Sequence, residues 1–295
     1  MKRYALISVW DKSGLVEFAK SLESAGLSIL STGGTAKFLK ENGLDVTLVE
    51  EVTKHPEIFD GRVKTLHPKI HGGILARRDN EQDKAQLIEN NIDLIDVVVV
   101  NLYPFIEKVS EAEQEKNPNH KSLIEFIDIG GPTMIRASAK NFKDVVVVCD
   151  PSDYQAVGKS IATGIDEQTR RKLAAKVFAT MAAYDLSVAR YLSLDEQLLE
   201  ENGEPKQFAP VEGIVLHKLE TLRYGENPHQ QASLYKNAYS ADGKYPWTKL
   251  QGKEISYNNL VDMHAAVELL VELMITAPQQ SAAVVIKHTN PCGVA

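Results

Sequence analysis

Hydrophobic and polar positions give the chain two textures. Over the first 150 residues, short β-forming runs alternate with segments of helical period. "YALISVW" (4–10) predicts a strand, and "SGLVEFAKSLESAG" (13–26) predicts a helix closed by glycine. "LSILST" (27–32) predicts the second strand, "GTAKFLKENG" the next helix and "VTLVEEV" (46–52) a third strand. A polar helix, "NEQDKAQLIENN", leads to the apolar strand "DVVVVNLY" (96–103). A helix in "GPTMIRASAKN" and the strand "VVVVC" (145–149) complete the alternation. The valine runs are continuous, the pattern of strands covered on both faces. The expectation is an α/β fold with a parallel sheet flanked by helices.

Beyond residue 150 the texture changes. Residues 151–194 predict a helical extension of the first domain (1–150), dominated by the amphipathic "EQTRRKLAAKVFATMAAYDLSVARYLS". The acidic, Pro- and Gly-containing stretch 195–213 predicts a linker, and the charged stretch 107–121 a solvated loop. From 214 to 295 a second domain is expected, with strand-like pieces, a helix in "NLVDMHAAVELLVELM" and a strand at "AAVVI" (282–286).

Composition narrows the classes. The 295 residues are 43% hydrophobic and 25% charged, enough for two cores. A formal net charge of −7 argues against a general nucleic-acid or anionic-membrane binder, while leaving room for local basic pockets. With only Cys149 and Cys292, neither a disulfide framework nor a Cys-rich metal site is expected. No apolar run approaches a bilayer span, and the first apolar run is broken by Asp11 and Lys12, so it reads as a strand and not as a signal peptide. The expected home is a reduced cytoplasm.

Against that acidic background, "DGRVKTLHPKIHGGILARR" (60–78) gathers Arg62, Lys64, Lys69, Arg77 and Arg78. In a parallel α/β sheet, ligands sit beyond the carboxyl ends of the strands. The other turns at that edge have matching content. "STGGT" (31–35) offers Thr32 and Thr35 with Gly33 and Gly34 at a helix start, where backbone N–H groups favour an anion. "SVWDKSG" (8–14) carries Lys12, "VVVVNLYPF" delivers Asn101 and Tyr103, and "DIGGPT" (128–133) places Asp128 beside exposed helix-start N–H groups. Each turn alone has a structural reading: a glycine turn, a surface lysine, a loop hydrogen bond, a helix cap. Together they describe a pocket for a phosphorylated small molecule, with Arg62 and Lys64 the leading cations for phosphate and developing negative charge.

Two metal readings are weaker. His67 and His71 have the i, i+4 spacing of a helical pair, but Pro68 and the following glycines argue against a regular helix there. "NPCG" (290–293) matches half of a zinc-deaminase signature without its second cysteine or its HxE.

The motifs "SVWDKSGLVEFA", "STGGTAK", "DGRVKTLHPKIHGGILARR", "VVVVNLYPF" and "DIGGPTMIRASAKN" resemble the AICAR transformylase/IMP cyclohydrolase family of purine biosynthesis. "LRYGENPHQQA" (222–232), "GKEISYNN" (252–259) and "VVIKHTNPCGVA" (284–295) resemble the start of its transformylase part. The resemblance covers essentially the whole chain. Family chains continue further, so Ala295 is expected to fall inside the second domain, and formyl transfer is not expected of this segment alone. The implied folds are a methylglyoxal-synthase-like domain followed by the beginning of a cytidine-deaminase-like one without zinc.

The implied reaction of the first domain closes formyl-AICAR to IMP with loss of water and without metal or redox cofactor. By resemblance, Lys64, Tyr103, Asp128 and Lys140 match its chemistry: Lys140 as proton donor/acceptor, Lys64 as oxyanion stabiliser, Asp128 as base or orienter. The nucleotide would lie against Trp10, Asp11 and Lys12, Thr32 to Thr35, Arg62, Val63 and Thr65, Asn101 and Leu102, and Ile129, Gly130 and Gly131. Trp10 departs from the family pattern, which usually has Ser there. In the transformylase part, Arg223 and Tyr224 match AICAR contacts. Lys287 and His288 match the groups that assist formyl transfer from 10-formyltetrahydrofolate. The rival class is a nucleotide-sensing regulatory module of the same fold, which would not need Lys64, Asp128 and Lys140 together; methylglyoxal synthase itself would be a much shorter chain without "RYGENPHQ".

The partners expected are nucleotides and a second copy of the chain, with no nucleic acid and no membrane. The homodimer follows from geometry. Nine residues of helix between Gly131 and Lys140 span roughly 13 Å, yet the resemblance has Asp128 and Lys140 act at one carbon. Either the helix is broken or Lys140 reaches the site of a neighbouring subunit, and with nothing in "TMIRASAK" to break it the second is expected.

Overall fold

The computed structural model describes residues 1–105, 108–109, 123–195, 211, 213–237 and 249–295. The chain divides into two compact units, Met1–Ala209 and Pro210–Ala295. The expected loop at 107–121 and linker at 195–213 lie mostly outside the described residues.

In the first unit five strands form one fully parallel sheet: β1 (Arg3–Val9), β2 (Ser28–Ser31), β3 (Val46–Leu48), β4 (Leu94–Asn101) and β5 (Val146–Val148). Their spatial order is β3-β2-β1-β4-β5. The valine run of β4 pairs with β1 on one side (Ile7 with Val99) and β5 on the other (Val98 with Val147). Leu6, Ile7, Leu30, Val98 and Val99 are fully buried because helices cover both faces. Each such side chain contributes roughly 1.5–3 kcal/mol of burial. The covering helices are α1 (Leu15–Ser24), α2 (Gly33–Glu41), α3 (Val49–Thr53), α4 (Pro68–Leu75), α5 (Glu81–Glu89), α6 (Gly130–Lys140), α7 (Tyr154–Ser160) and α8 (Glu167–Asp195).

Two local expectations need correction. The third strand ends at Leu48, because buried Val49 opens a short helix whose first turn carries Glu50 and Glu51. The segment after His67 is helical despite its proline and glycines. Pro68 occupies the first helical turn, where it lacks only an N–H that would be orphaned anyway, and His67 Nδ1 accepts the Lys69 N–H at 3.1 Å as the cap. Gly72 and Gly73 are inside the helix because it presses against the chain entering β4. A Cβ on Gly73 would stand 2.5 Å from the Asp93 carbonyl oxygen.

In the second unit β6 (Leu216–Thr221) pairs antiparallel with β7 (Ser233–Asn237), and β8 (Val284–Lys287) with β9 (Asn290–Val294). Between them runs α9 (Tyr257–Thr276), opened by a reciprocal cap: Ser256 Oγ accepts the Asn259 N–H and Asn259 Oδ1 accepts the Ser256 N–H. No helix among the described residues is long and apolar enough to cross a membrane.

Candidate active site

Strand order reverses at β1, with β2 and β3 on one side and β4 and β5 on the other, so the carboxyl ends of β1 and β4 flank a crevice. A cavity of about 870 Å³ opens there. Its walls include Trp10, Lys12, Thr32, Gly34, Thr35, Asn101 and Tyr103 from the strand ends. The basic segment adds Arg62, Val63, Lys64 and Thr65, and the start of α6 adds Asp128, Ile129, Gly130 and Gly131. A second cavity of about 490 Å³ adjoins it and shares Thr32 and Lys64, with Gly33 in its wall. The larger one gathers the chemically active groups.

Several of these residues build the site by holding its loops. Asn101 Oδ1 accepts the N–H groups of Trp10 at 2.7 Å and Asp11 at 2.9 Å, and its Nδ2 donates to the Asp11 carbonyl. Its amide is therefore spent on the turn after β1. Buried Thr35 does similar work: its hydroxyl accepts from Val9 N–H at 3.1 Å and donates to Val9 C=O at 3.0 Å. Asp11 turns away toward Ser13, whose side-chain hydroxyl and then backbone N–H hold its carboxyl below the usual range, and it does not line the cavity. The Trp10 indole is 45% exposed and meets Tyr103 edge-on at 5.2 Å and Phe126 at 6.2 Å. In place of a hydroxyl, this position presents an aromatic wall.

The positive charge of residues 60–78 divides between structure and site. Arg77 pairs with Asp83, while Arg78 reaches Asp96 and donates to the carbonyls of Gly73 and Ile95. Arg62 lines the cavity, but its guanidinium pairs with Glu125 through both carboxylate oxygens, an acidic partner that sequence reading did not assign. Lys64 is aimed differently. Its hairpin is closed by Ile58 and Val63, with Phe59, Asp60 and Gly61 all at positive φ (56°, 52° and 88°). The ammonium sits beside the backbones of Gly33 and Gly61, where a Cβ on either would lie 3.8 Å from Nζ. At that distance a Cβ would make only ordinary contact, so it is the left-handed backbone of Gly33 (φ 47°) and Gly61 (φ 88°) that favours glycine.

Asp128 is the centre of the arrangement. Its Oδ1 accepts the Gly131 N–H at 2.9 Å. A Cβ on Gly131 would stand 2.5 Å from Oδ2, so any larger residue would push the carboxylate out of this position. Burial pushes the Asp128 carboxyl up, opposed by the Gly131 N–H, the nearby Lys64 charge and the Gly130 N–H. Tyr103 is also pushed up, first by burial and then by the charges of Asp128 and Glu57, so its phenol stays protonated and able to donate. Sequence reading also missed Tyr184 of α8, whose hydroxyl touches the backbone on both sides of Ile127.

Six further predicted residues fall elsewhere within the first unit or in the second. Leu102 packs near Gly131 without lining the cavity, and Lys140 is exposed at the far end of an unbroken α6. Arg223 and Tyr224 lie together in the second unit: the Arg223 guanidinium is 4.8 Å from the Tyr224 ring centroid and donates to its hydroxyl at 3.1 Å. Lys287 ends β8 in that unit, and His288 follows it, exposed and at φ 52°.

Comparison with known proteins decides the family. The profile of the AICARFT/IMPCHase bienzyme matches residues 138–295, and that of the MGS-like domain matches residues 14–133. The chain belongs to the AICARFT/IMPCHase bienzyme family. "Bifunctional purine biosynthesis protein PurH" of Bacillus cereus (strain AH187) is 50% identical over all of this chain and 55% of its own length. The protein of the same name from Bacillus thuringiensis (strain Al Hakam) is 49% identical over the same shares. The chain thus spans about half the length of the curated AICARFT/IMPCHase relatives it matches. Among solved structures, the crystal structure of ForH superposes with a TM-score of 0.56 at 34% identity, covering 64% of this chain and 98% of that one. Membership in the bienzyme family does not favour the sensing-module reading.

Proposed function

We propose that the first unit closes formyl-AICAR to IMP in de novo purine biosynthesis. The observation that carries this reading is the single cavity in which Lys64, Tyr103 and Asp128 converge beside the open start of α6. The carboxamide nitrogen attacks the formamide carbon, and the former carbonyl oxygen leaves as water. Its two protons derive from the two nitrogens that become part of the ring. The chemistry therefore needs proton transfer and oxyanion stabilisation, and no metal or redox cofactor. Lys64 stabilises the oxyanion. Tyr103 stays a phenol and donates to it, and Asp128 accepts or orients the proton lost from nitrogen. Trp10 walls the substrate, and the helix start with Thr32, Gly34 and Lys12 receives the phosphate.

Lys140 acts as proton donor/acceptor in the cavity of a partner subunit, in a homodimer. The straight α6 carries Lys140 away from the start of that helix, where Asp128 lies. Mixing Lys64→Ala with Lys140→Ala protein restores activity after subunit exchange if the site is composite; no rescue despite proven exchange places both lysines in one protomer. In the second unit, Arg223 and Tyr224 serve AICAR, and Lys287 and His288 serve formyl transfer from 10-formyltetrahydrofolate in the longer protein. The protein works in the cytoplasm. Monitoring IMP formation from formyl-AICAR tests the ring-closing assignment.

A further inference from the structure

α8 lies outside the segment matched as MGS-like, residues 14–133, yet it reaches the centre of the site. Tyr184 is 7% exposed, with its ring 6.2 Å from buried Phe105. Its hydroxyl accepts the Asp128 N–H at 2.8 Å and donates to the Phe126 carbonyl at 3.1 Å. Both polar functions of one phenol are thus spent on a three-residue stretch. Asp128 then accepts the Gly131 N–H at its carboxylate, and the Phe126 ring meets Trp10 and Tyr103. A continuous set of contacts therefore runs from α8 through Tyr184 to the Asp128 backbone, and from there to the carboxylate and the aromatic wall.

We infer that Tyr184 is a positioning residue: it fixes the direction of the Asp128 carboxylate and the seat of the Phe126–Trp10–Tyr103 wall. The inference deepens the ring-closing reading and rests on it for its kinetic consequence. Without the hydroxyl, the 126–128 backbone loses its tether while the ring still fills its place in the core. Misplacing a reacting group by as little as about 1 Å costs on the order of 100-fold in rate. A purely structural tyrosine would lower stability and leave the chemistry alone.

The test is Tyr184→Phe in the full chain, beside Met181→Ala, a buried change on the same helix. Tyr184→Phe should lower kcat roughly tenfold to a hundredfold with little change in KM. Met181→Ala should lower Tm and leave kcat near the parent value. A second readout needs no turnover: the Asp128 carboxyl followed by ¹³C NMR, assigned by its absence in Asp128→Asn. The titratable groups facing it are Lys64, Tyr103 and Tyr184, with Glu57 and Asp185 acting on the two tyrosines. Loosening the Gly131 N–H bond to the carboxylate should move its titration upward in Tyr184→Phe. An unmoved titration with unchanged kcat overturns the inference, as does an equal kcat loss in Met181→Ala. If the parent protein makes no IMP, the ring-closing reading fails and the NMR titration still decides the role of Tyr184.

Discussion

Val97 to Val100 in β4 and Val267, Val271, Met274 and Ile275 in α9 are comparably apolar. The first four are at most 1% exposed, and the other four are between 47% and 71% exposed. β4 has a strand on each side and helices across both faces, whereas α9 has no buried residue. Apolar sequence specifies an element; burial needs the layers around it. The contrast extends to chemistry. Asp128 and Tyr103 are held by packed neighbours that shift their protonation, and such shifts mark working groups. In the second unit exposed Arg223 donates to partly buried Tyr224, whose phenol is lowered by hydrogen bonds with Ser256 and Arg223 and not raised by burial.

The largest test of this contrast is stability. Leu6→Ala, at a fully buried site in β1, should cost about 2–5 kcal/mol in urea unfolding. Val271→Ala on α9 should fall within about 0.5 kcal/mol of the parent. Equal costs would break the comparison. Next, Lys64→Ala should reduce kcat for ring closure roughly 100- to 1000-fold, the scale of a lost oxyanion donor. A raised KM with unchanged kcat would move Lys64 to phosphate binding.

The smallest effect concerns pH. Burial raises the Asp128 carboxyl, so the native state is favoured while that group is protonated and loses this advantage as pH rises through the folded value. Asp128→Asn should therefore be inactive yet more stable than the parent near neutral pH. The gap should close as pH falls toward about 3.9, the ordinary aspartate value. Thermal melts across pH read the sign directly, and a gap that widens in acid contradicts the assignment.

Much of the first unit was legible because its signals are local. Continuous valine runs announce covered strands, and glycine with threonine or aspartate at strand ends announces turns that approach a ligand. The failures were long-range. Gly72 and Gly73 read as helix breakers until the Ile92 side chain and the Asp93 carbonyl are seen against them. Arg62 read as a free cation because Glu125 lies 63 residues away, and Tyr184 went unassigned because its hydroxyl bonds the Asp128 N–H 56 residues distant. Periodicity reports which face of a helix is apolar and is blind to where a single phenolic oxygen lands.

The central claim is that ring closure belongs to the first unit and is built around Lys64 and Asp128. Its most direct test is IMP formation from formyl-AICAR by the full chain, compared with Lys64→Ala and with His288→Ala in the second unit. The account predicts turnover by the parent, loss of two to three orders of magnitude in Lys64→Ala and parent-like rates in His288→Ala. No IMP from the parent, or an equal loss in both variants, would contradict it.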